Sequence, residues 1–171
     1  PFGFAIRDNK RIMSNNALIY RDGRYEMDFE DLEQRAKSPR AKLMILCSPH
    51  NPVGRVWKEE ELRRVGNICA ENGVILVVDE IHSDLIFRGH HHVSLAALDE
   101  KYAMNTVTCV APSKTFNCAG VRCSCLITPN PEIKKRLESR FQRNRSILQS
   151  IFALPAYVAA YTECDDYLEQ L

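Results

Sequence analysis

Three short apolar runs recur along this chain with helical patterning between them: Leu43-Met44-Ile45-Leu46-Cys47, Val74-Ile75-Leu76-Val77-Val78 and Thr106-Val107-Thr108-Cys109-Val110-Ala111. Runs this short and this continuously apolar suit strands covered on both faces, because a strand with one wet face alternates. Asp28 is placed to cap a helix carrying Phe29, Leu32 and Ala36 on one side, with Asp31 where a capping acid is expected. Lys58-Glu59-Glu60-Glu61 puts acids at the start of a helix striped by Leu62, Val65, Ile68 and Cys69, which Asn72-Gly73 ends. Residues 94–101 read as a short helix, residues 121–128 as a strand closing back, and Asn130-Pro131 as the start of a helix presenting Ile133, Leu137 and Phe141. From Ser146 onward the pattern is helical, with a break expected near Pro155. Alternation of this kind predicts an α/β fold, a mostly parallel sheet with helices on both faces. Ligands collect at the carboxyl ends of such strands, where Asn51, Asp79 and Lys114 fall.

At 171 residues, 45% apolar and 26% charged, the chain can bury one sizeable core. A formal net charge of +1 without a long basic block argues against nucleic acid or a membrane surface as partner. The longest candidate for a bilayer span, residues 151–161, is about half of the roughly 20 residues needed and contains Pro155. The opening Pro1-Phe2-Gly3-Phe4-Ala5-Ile6-Arg7 has neither a basic leader nor a start methionine, so the expectation is a soluble, cytoplasmic protein entered part-way along its sequence. Seven cysteines, an odd number set mostly in apolar runs, suit reduced core thiols better than a disulfide framework. Strand alternation would put Cys123 and Cys125 on one face, without a zinc-spaced partner pair. His90-His91-His92 likewise has no Asp or Cys partner at metal spacing, and no metal is expected.

The polar residues beyond the runs carry the chemistry. Lys114 lies between Ser113 and Thr115, eight residues before Arg122. A lysine at a strand end, with a hydroxyl before it and a fixed cation after it, can hold an aldehyde cofactor: the amine forms the Schiff base and the others grip an anionic group. Each residue also has a plainer reading. Lysine is usually a solvated surface group, Arg122 could pair with a surface acid, Asp79 could cap a turn, and Asn51-Pro52 could be turn chemistry alone.

Three segments weigh against the plainer readings: Ser48-Pro49-His50-Asn51-Pro52-Val53-Gly54-Arg55-Val56-Trp57, Val78-Asp79-Glu80-Ile81-His82-Ser83-Asp84-Leu85 and Ala111-Pro112-Ser113-Lys114-Thr115-Phe116-Asn117. In this order they resemble the class I/II aminotransferase superfamily of fold-type I pyridoxal-phosphate enzymes, and within it the MalY/PatB cystathionine β-lyase branch. The histidine of Asp-Glu-Ile-His and the wording Pro-Ser-Lys-Thr-Phe-Asn favour that branch over ordinary aspartate aminotransferases. The resemblance implies pyridoxal 5'-phosphate as cofactor, Lys114 as the catalytic Schiff-base lysine that also moves the substrate α-proton, and Asp79 as the carboxylate that keeps the ring nitrogen protonated. It implies Asn51 as donor to the phenolic oxygen, with His82 nearby where many relatives have tyrosine, and Ser113 and Arg122 as the phosphate grip. Ala111 replaces a further phosphate-binding serine found in several aminotransferases. His92 is expected to be the ordered member of the histidine run, and Trp57 to pack beside the Asn51 loop.

The resemblance also implies missing parts. Residues 1–150 would be most of a cofactor-binding large domain, and residues 151–171 a helical segment leading toward a small C-terminal domain that carries the carboxylate-binding arginine. The expected reaction is carbon–sulfur β-elimination on a small amino-acid substrate, in a complete protein that is a homodimer, with the isolated chain showing little or no turnover. Transamination is the alternative enzyme reading. A non-catalytic module that keeps the fold for a regulatory or interaction role is the alternative from another class.

Overall fold

The computed structural model describes residues 2–144 and 150–171. Helix α1 (Phe2–Asp8) precedes a small antiparallel hairpin of β1 (Ile19–Arg21) and β2 (Arg24–Glu26). Helix α2 (Phe29–Ala36) begins at Asp28, whose carboxylate accepts the Asp31 N–H at 3.0 Å. The Asp31 carboxylate does not reach back to the cap; it takes Arg35 at 2.6 Å and Asn16 at 2.8 Å instead. Strand β3 (Leu43–Cys47) leads to α3 (Glu59–Glu71), where Glu61 accepts from the Lys58 N–H at 2.8 Å. Past Gly73, at φ 63°, the chain enters β4 (Ile75–Asp79).

Strand β4 pairs in parallel with β3 on one side and with β5 (Thr106–Val110) on the other. Strand β6 (Cys125–Ile127) closes the sheet antiparallel to β5, giving the order β3-β4-β5-β6. One face of this sheet, Met44, Leu46, Leu76 and Val78, packs under Leu62, Val65, Ile68 and Cys69 of α3 and Leu32 and Ala36 of α2. Each fully buried aliphatic side chain here, Leu62, Leu76, Val65 and Val78 among them, contributes about 1.5–3 kcal/mol relative to exposure. Helix α4 (Glu100–Ala103) joins the same layer through Tyr102, whose ring lies so near Gly66 that a Cβ there would meet it at 2.7 Å.

Several expectations are corrected. The strand expected over 121–128 shrinks to three residues, because Ala119–Val121 forms a 3-10 turn and Arg122 takes a left-handed φ of 54°. With the strand starting at Cys125, alternation does not govern the two thiols: Cys123 is buried and Cys125 exposed. The single helix expected over 94–101 is a 3-10 turn, Leu95–Ala97, followed by α4, which Asp99 caps through the Lys101 N–H. Pro155 does not break the C-terminal helix; it sits in the first turn of α7 (Ala153–Glu163), where an N–H has no helical partner to lose. The interruption comes at Cys164, before α8 (Asp165–Gln170). Residues 146–149, where the helical pattern was expected to start, lie outside the described residues.

Cover on both faces is also incomplete among the described residues. On the face away from α3, Ile45, Ile75 and Val77 are half-buried and Leu43 is 54% exposed. Helix α6 (Pro131–Asn144) begins as expected, with Asn130 accepting the Glu132 and Ile133 N–H groups. Among the described residues no helix is long and apolar enough to cross a membrane.

Candidate active site

The parallel register brings Cys47, Asp79 and Cys109 side by side at the carboxyl ends of β3, β4 and β5. Adjacent strands lie about 4.8 Å apart, so the three tips span roughly 10 Å, the scale of one substituted aromatic ring. Asp79 is half-buried, and its backbone carbonyl accepts the Ser48 N–H at 2.9 Å, while the next residue, Glu80, donates its N–H to the Cys109 carbonyl at 2.9 Å. One carboxylate oxygen accepts the Ile81 N–H at 3.2 Å. Burial pushes the Cys109 thiol up to about 11, with the Asp79 and Glu80 carboxylates adding to it. Burial raises Cys47 as well, and the Asp79 charge adds a smaller push. Both thiols therefore stay protonated beside the carboxylate.

Asn51 stands exposed at the turn of a loop that folds back on itself beyond β3. His50 donates its N–H to the Arg55 carbonyl at 2.7 Å and accepts the Gly54 N–H at 2.9 Å, and Gly54 supplies the φ of 68° that the turn requires. Trp57, 1% exposed, donates its indole N–H to the Cys47 carbonyl at 2.9 Å. Arg55 lies 4.6 Å over the indole, pairs with both Glu61 oxygens at 2.9 Å, and reaches the Tyr25 carbonyl. Trp57 thus packs beneath the loop, as its position in the sequence suggests.

Lys114 sits in α5 (Pro112–Thr115), a single four-residue turn immediately beyond β5. Its side chain is exposed and Ser113 is half-buried, while Thr115 is fully buried and donates its hydroxyl to Asp84 at 2.7 Å. Arg122 is exposed and lies three residues before β6, whose Cys125 faces Val110, so it approaches from beyond the same end of the sheet. His82 follows Asp79 in a turn closed by Ser83 N–H to the Glu80 carbonyl at 2.9 Å and Leu85 N–H to the His82 carbonyl at 3.0 Å. Its Nδ1 is buried and has no hydrogen-bond partner among the described residues. Helix α7 leans on this region: the Tyr161 ring lies 5.3 Å from Phe116, and burial, then the Asp84 carboxylate, push its phenol up to about 12.

Asn51, Asp79 and Lys114 are accordingly delivered by three adjacent strands, His82 by the turn after Asp79, and Ser113 by the turn that holds Lys114. Among the described residues, the side chains of Asn51, Ser113, Lys114 and Arg122 make no hydrogen bond or ion pair with the rest of the chain. Two acids were missed. Glu80, 4% exposed, is held by His92 Nε2 at 3.1 Å and the Ser94 hydroxyl at 2.9 Å, which also accounts for the order of His92. Asp84 is the other. The run Asp79-Glu80-Ile81-His82-Ser83-Asp84 contained both acids, but the partners of Glu80 lie 12 and 14 residues away and that of Asp84 lies 31 away.

The chain matches the aminotransferase class I and II family over residues 14–171. It belongs to that family. Within it, the chain is 43% identical over its whole length to cystathionine beta-lyase PatB of Bacillus subtilis and spans 44% of that protein. It is 30% identical to protein MalY of Escherichia coli, over 98% of this chain and 42% of that one. Among solved structures it is similar to cystalysin from Treponema denticola, which contains a pyridoxal 5'-phosphate cofactor, at a TM-score of 0.91 and 38% identity, over 99% of this chain and 43% of that one. The PLP-bound C-S lyase from Staphylococcus hominis is similar at 0.89 and 33% identity, over 99% and 42%. The family fold is therefore present in a chain that spans less than half the length of these relatives.

Proposed function

We propose that this chain is most of the cofactor-binding domain of a pyridoxal-phosphate-dependent carbon–sulfur β-lyase acting on small amino acids such as cystathionine. The observation that carries it is the delivery of an amide, a carboxylate and an amine by the tips of three adjacent strands, in a chain 43% identical to a cystathionine beta-lyase. The donor set suits the cofactor. Among the described residues, a buried histidine nitrogen without a partner, an arginine and a serine whose side chains make no hydrogen bond, and a carboxylate taking one N–H all offer unspent polar capacity around the strand tips.

Pyridoxal phosphate, when bound, supplies an electron-poor ring that accepts the electron pair left as the substrate α-carbon loses its proton. The chain's own residues do the rest. Asp79 holds a proton on the ring nitrogen by ion pairing, Asn51 and His82 donate to the phenolic oxygen, and Ser113 with Arg122 binds the phosphate. Lys114 would hold the cofactor through its amine, and once the substrate is bound the same amine would take the proton of the substrate α-carbon as a thiolate leaves the β-carbon. Residues 1–150 make this domain, and 151–171 lead toward a smaller one. The complete protein is proposed to be a cytoplasmic homodimer.

Transamination is the second reading, favoured by 32% identity to an aspartate aminotransferase of Geobacillus stearothermophilus over 93% of this chain and 41% of that one. Supplying the complete protein with cystathionine separates the two. Pyruvate released without an added keto acid supports the lyase, whereas amino transfer that depends on a keto acid overturns it.

A further inference from the structure

The turn that carries Lys114 is too short to hold its own direction. Helix α5 has four residues and starts at a proline, which brings no N–H; the Phe116 N–H to the Pro112 carbonyl, at 2.9 Å, closes the turn, and the Cys118 N–H to the Ser113 carbonyl, at 3.2 Å, ties its exit. A single turn is disfavoured without tertiary support, since fixing its dihedrals yields about one hydrogen bond. Among the described residues, one side-chain hydrogen bond arises from this turn: the Thr115 hydroxyl to Asp84, at 2.7 Å. Thr115 is fully buried and the neighbouring Lys114 exposed. Successive helical residues diverge by about 100°, so fixing Thr115 inward fixes the heading of Lys114.

We propose that Asp84 is a positioning residue: through the Thr115 hydroxyl it sets the rotation of the turn that presents the Lys114 amine to the strand tips. Asp84 belongs to the segment that runs on from Asp79, the last residue of β4, and that also carries His82. The bond therefore ties the lysine to the same segment as the carboxylate expected to face the ring nitrogen. Just past the turn, Phe116 packs against Tyr161 of α7 and Tyr167 of α8, but neither ring meets Lys114 or Thr115 through a hydrogen bond among the described residues. This inference rests on the function proposed above, because it concerns the lysine's aim at the cofactor.

The test uses the complete cofactor-free protein, exposed to pyridoxal phosphate and then borohydride. The lysine amine adds to the aldehyde with loss of water, and borohydride reduces the resulting C=N bond, so peptide mapping shows which lysines carry the label. Thr115→Val removes the donor at nearly constant shape, Thr115→Ser keeps it, and Asp84→Asn keeps an acceptor while removing the charge. The expected result is label concentrated on Lys114 in the parent, a Lys114 share reduced about tenfold relative to other lysines in Thr115→Val, and recovery in Thr115→Ser. Thermal unfolding of each cofactor-free variant is followed alongside, and the selectivity is expected to change even where the melting midpoint does not. If Thr115→Val is too unstable to purify, Asp84→Ala is read against Asp84→Asn, with selectivity lost in the first and largely kept in the second. Selectivity unchanged in Thr115→Val or Asp84→Ala, or lost equally in Thr115→Ser, overturns the proposal while leaving the cofactor site standing. A parent that places no label on Lys114 overturns the functional reading itself.

Discussion

Asp79 is the residue whose change separates charge from shape. If its carboxylate ion-pairs with the ring nitrogen, Asp79→Asn removes the charge that keeps that nitrogen protonated. Steady-state turnover of the complete protein is then expected to fall by roughly a hundredfold, with cofactor content largely retained; unaltered turnover contradicts the role. His50 gives a second prediction, in pH. Burial lowers its pKa below 6.5, so above that value both folded and unfolded states hold it neutral and stability is at its full value. As pH falls below 6.5 the unfolded state takes up the proton first and stability is lost until the folded pKa is passed. Urea-unfolding midpoints should therefore decline from pH 7.5 towards pH 5, and His50→Phe should flatten that decline; Asp31 and Glu33, both lowered, act only below their ordinary 3.8 and 4.5. At this scale the sequence put Asn51, Asp79 and Lys114 at or beyond the ends of neighbouring strands, because each follows an apolar run. Glu80, buried, and Asp84, half-buried, stayed hidden because each shows its role only through a partner, and their partners are distant in sequence.

Among the elements, α3 makes the clearest packing prediction. Gly66 is mid-helix, where alanine gains up to about 1 kcal/mol of propensity, but a Cβ there meets the Tyr102 ring at 2.7 Å. Overpacking of this kind costs about 1–3 kcal/mol, so Gly66→Ala should destabilise by about 1–2 kcal/mol net in equilibrium denaturation. Gly66→Ala combined with Tyr102→Leu should recover much of that loss. Helices announced themselves through caps: Asp28, Lys58 with Glu61, and Asn130 all begin helices where the side-chain chemistry predicts. Strand ends did not. The apolar residues of 121–128 suggested a strand, but the left-handed Arg122 and the preceding 3-10 turn consume its first half, and neither conformation leaves a periodic signature. Pro155 misled for a related reason, since a proline in a first turn and a helix-breaking proline look alike until the helix start is known.

For the whole molecule, the parallel α/β order was legible because residues 43–47 and 74–78 are continuous apolar runs and the helix between them, α3, is amphipathic. The extent of cover was not, since a run apolar on both faces does not say what lies over each face. Strand β3 is an edge of the sheet, and Leu43 is 54% exposed on the less covered face. The isolated 171-residue chain should therefore self-associate in sedimentation as concentration rises, and Leu43→Lys should reduce that association without lowering the melting midpoint of the remaining monomer. Turnover by this isolated chain should be negligible beside that of the complete protein, because the relatives it matches are more than twice as long. The central claim is that one vitamin B6 molecule sits across the tips of β3, β4 and β5. A crystal structure of the complete protein soaked with pyridoxal phosphate tests it most directly. The ring nitrogen is expected within hydrogen-bonding distance of Asp79, the phenolic oxygen at Asn51, the phosphate at Ser113 and Arg122, and continuous density from the cofactor to the Lys114 amine. Cofactor density joined to another lysine, or a ring nitrogen facing away from Asp79, would contradict it.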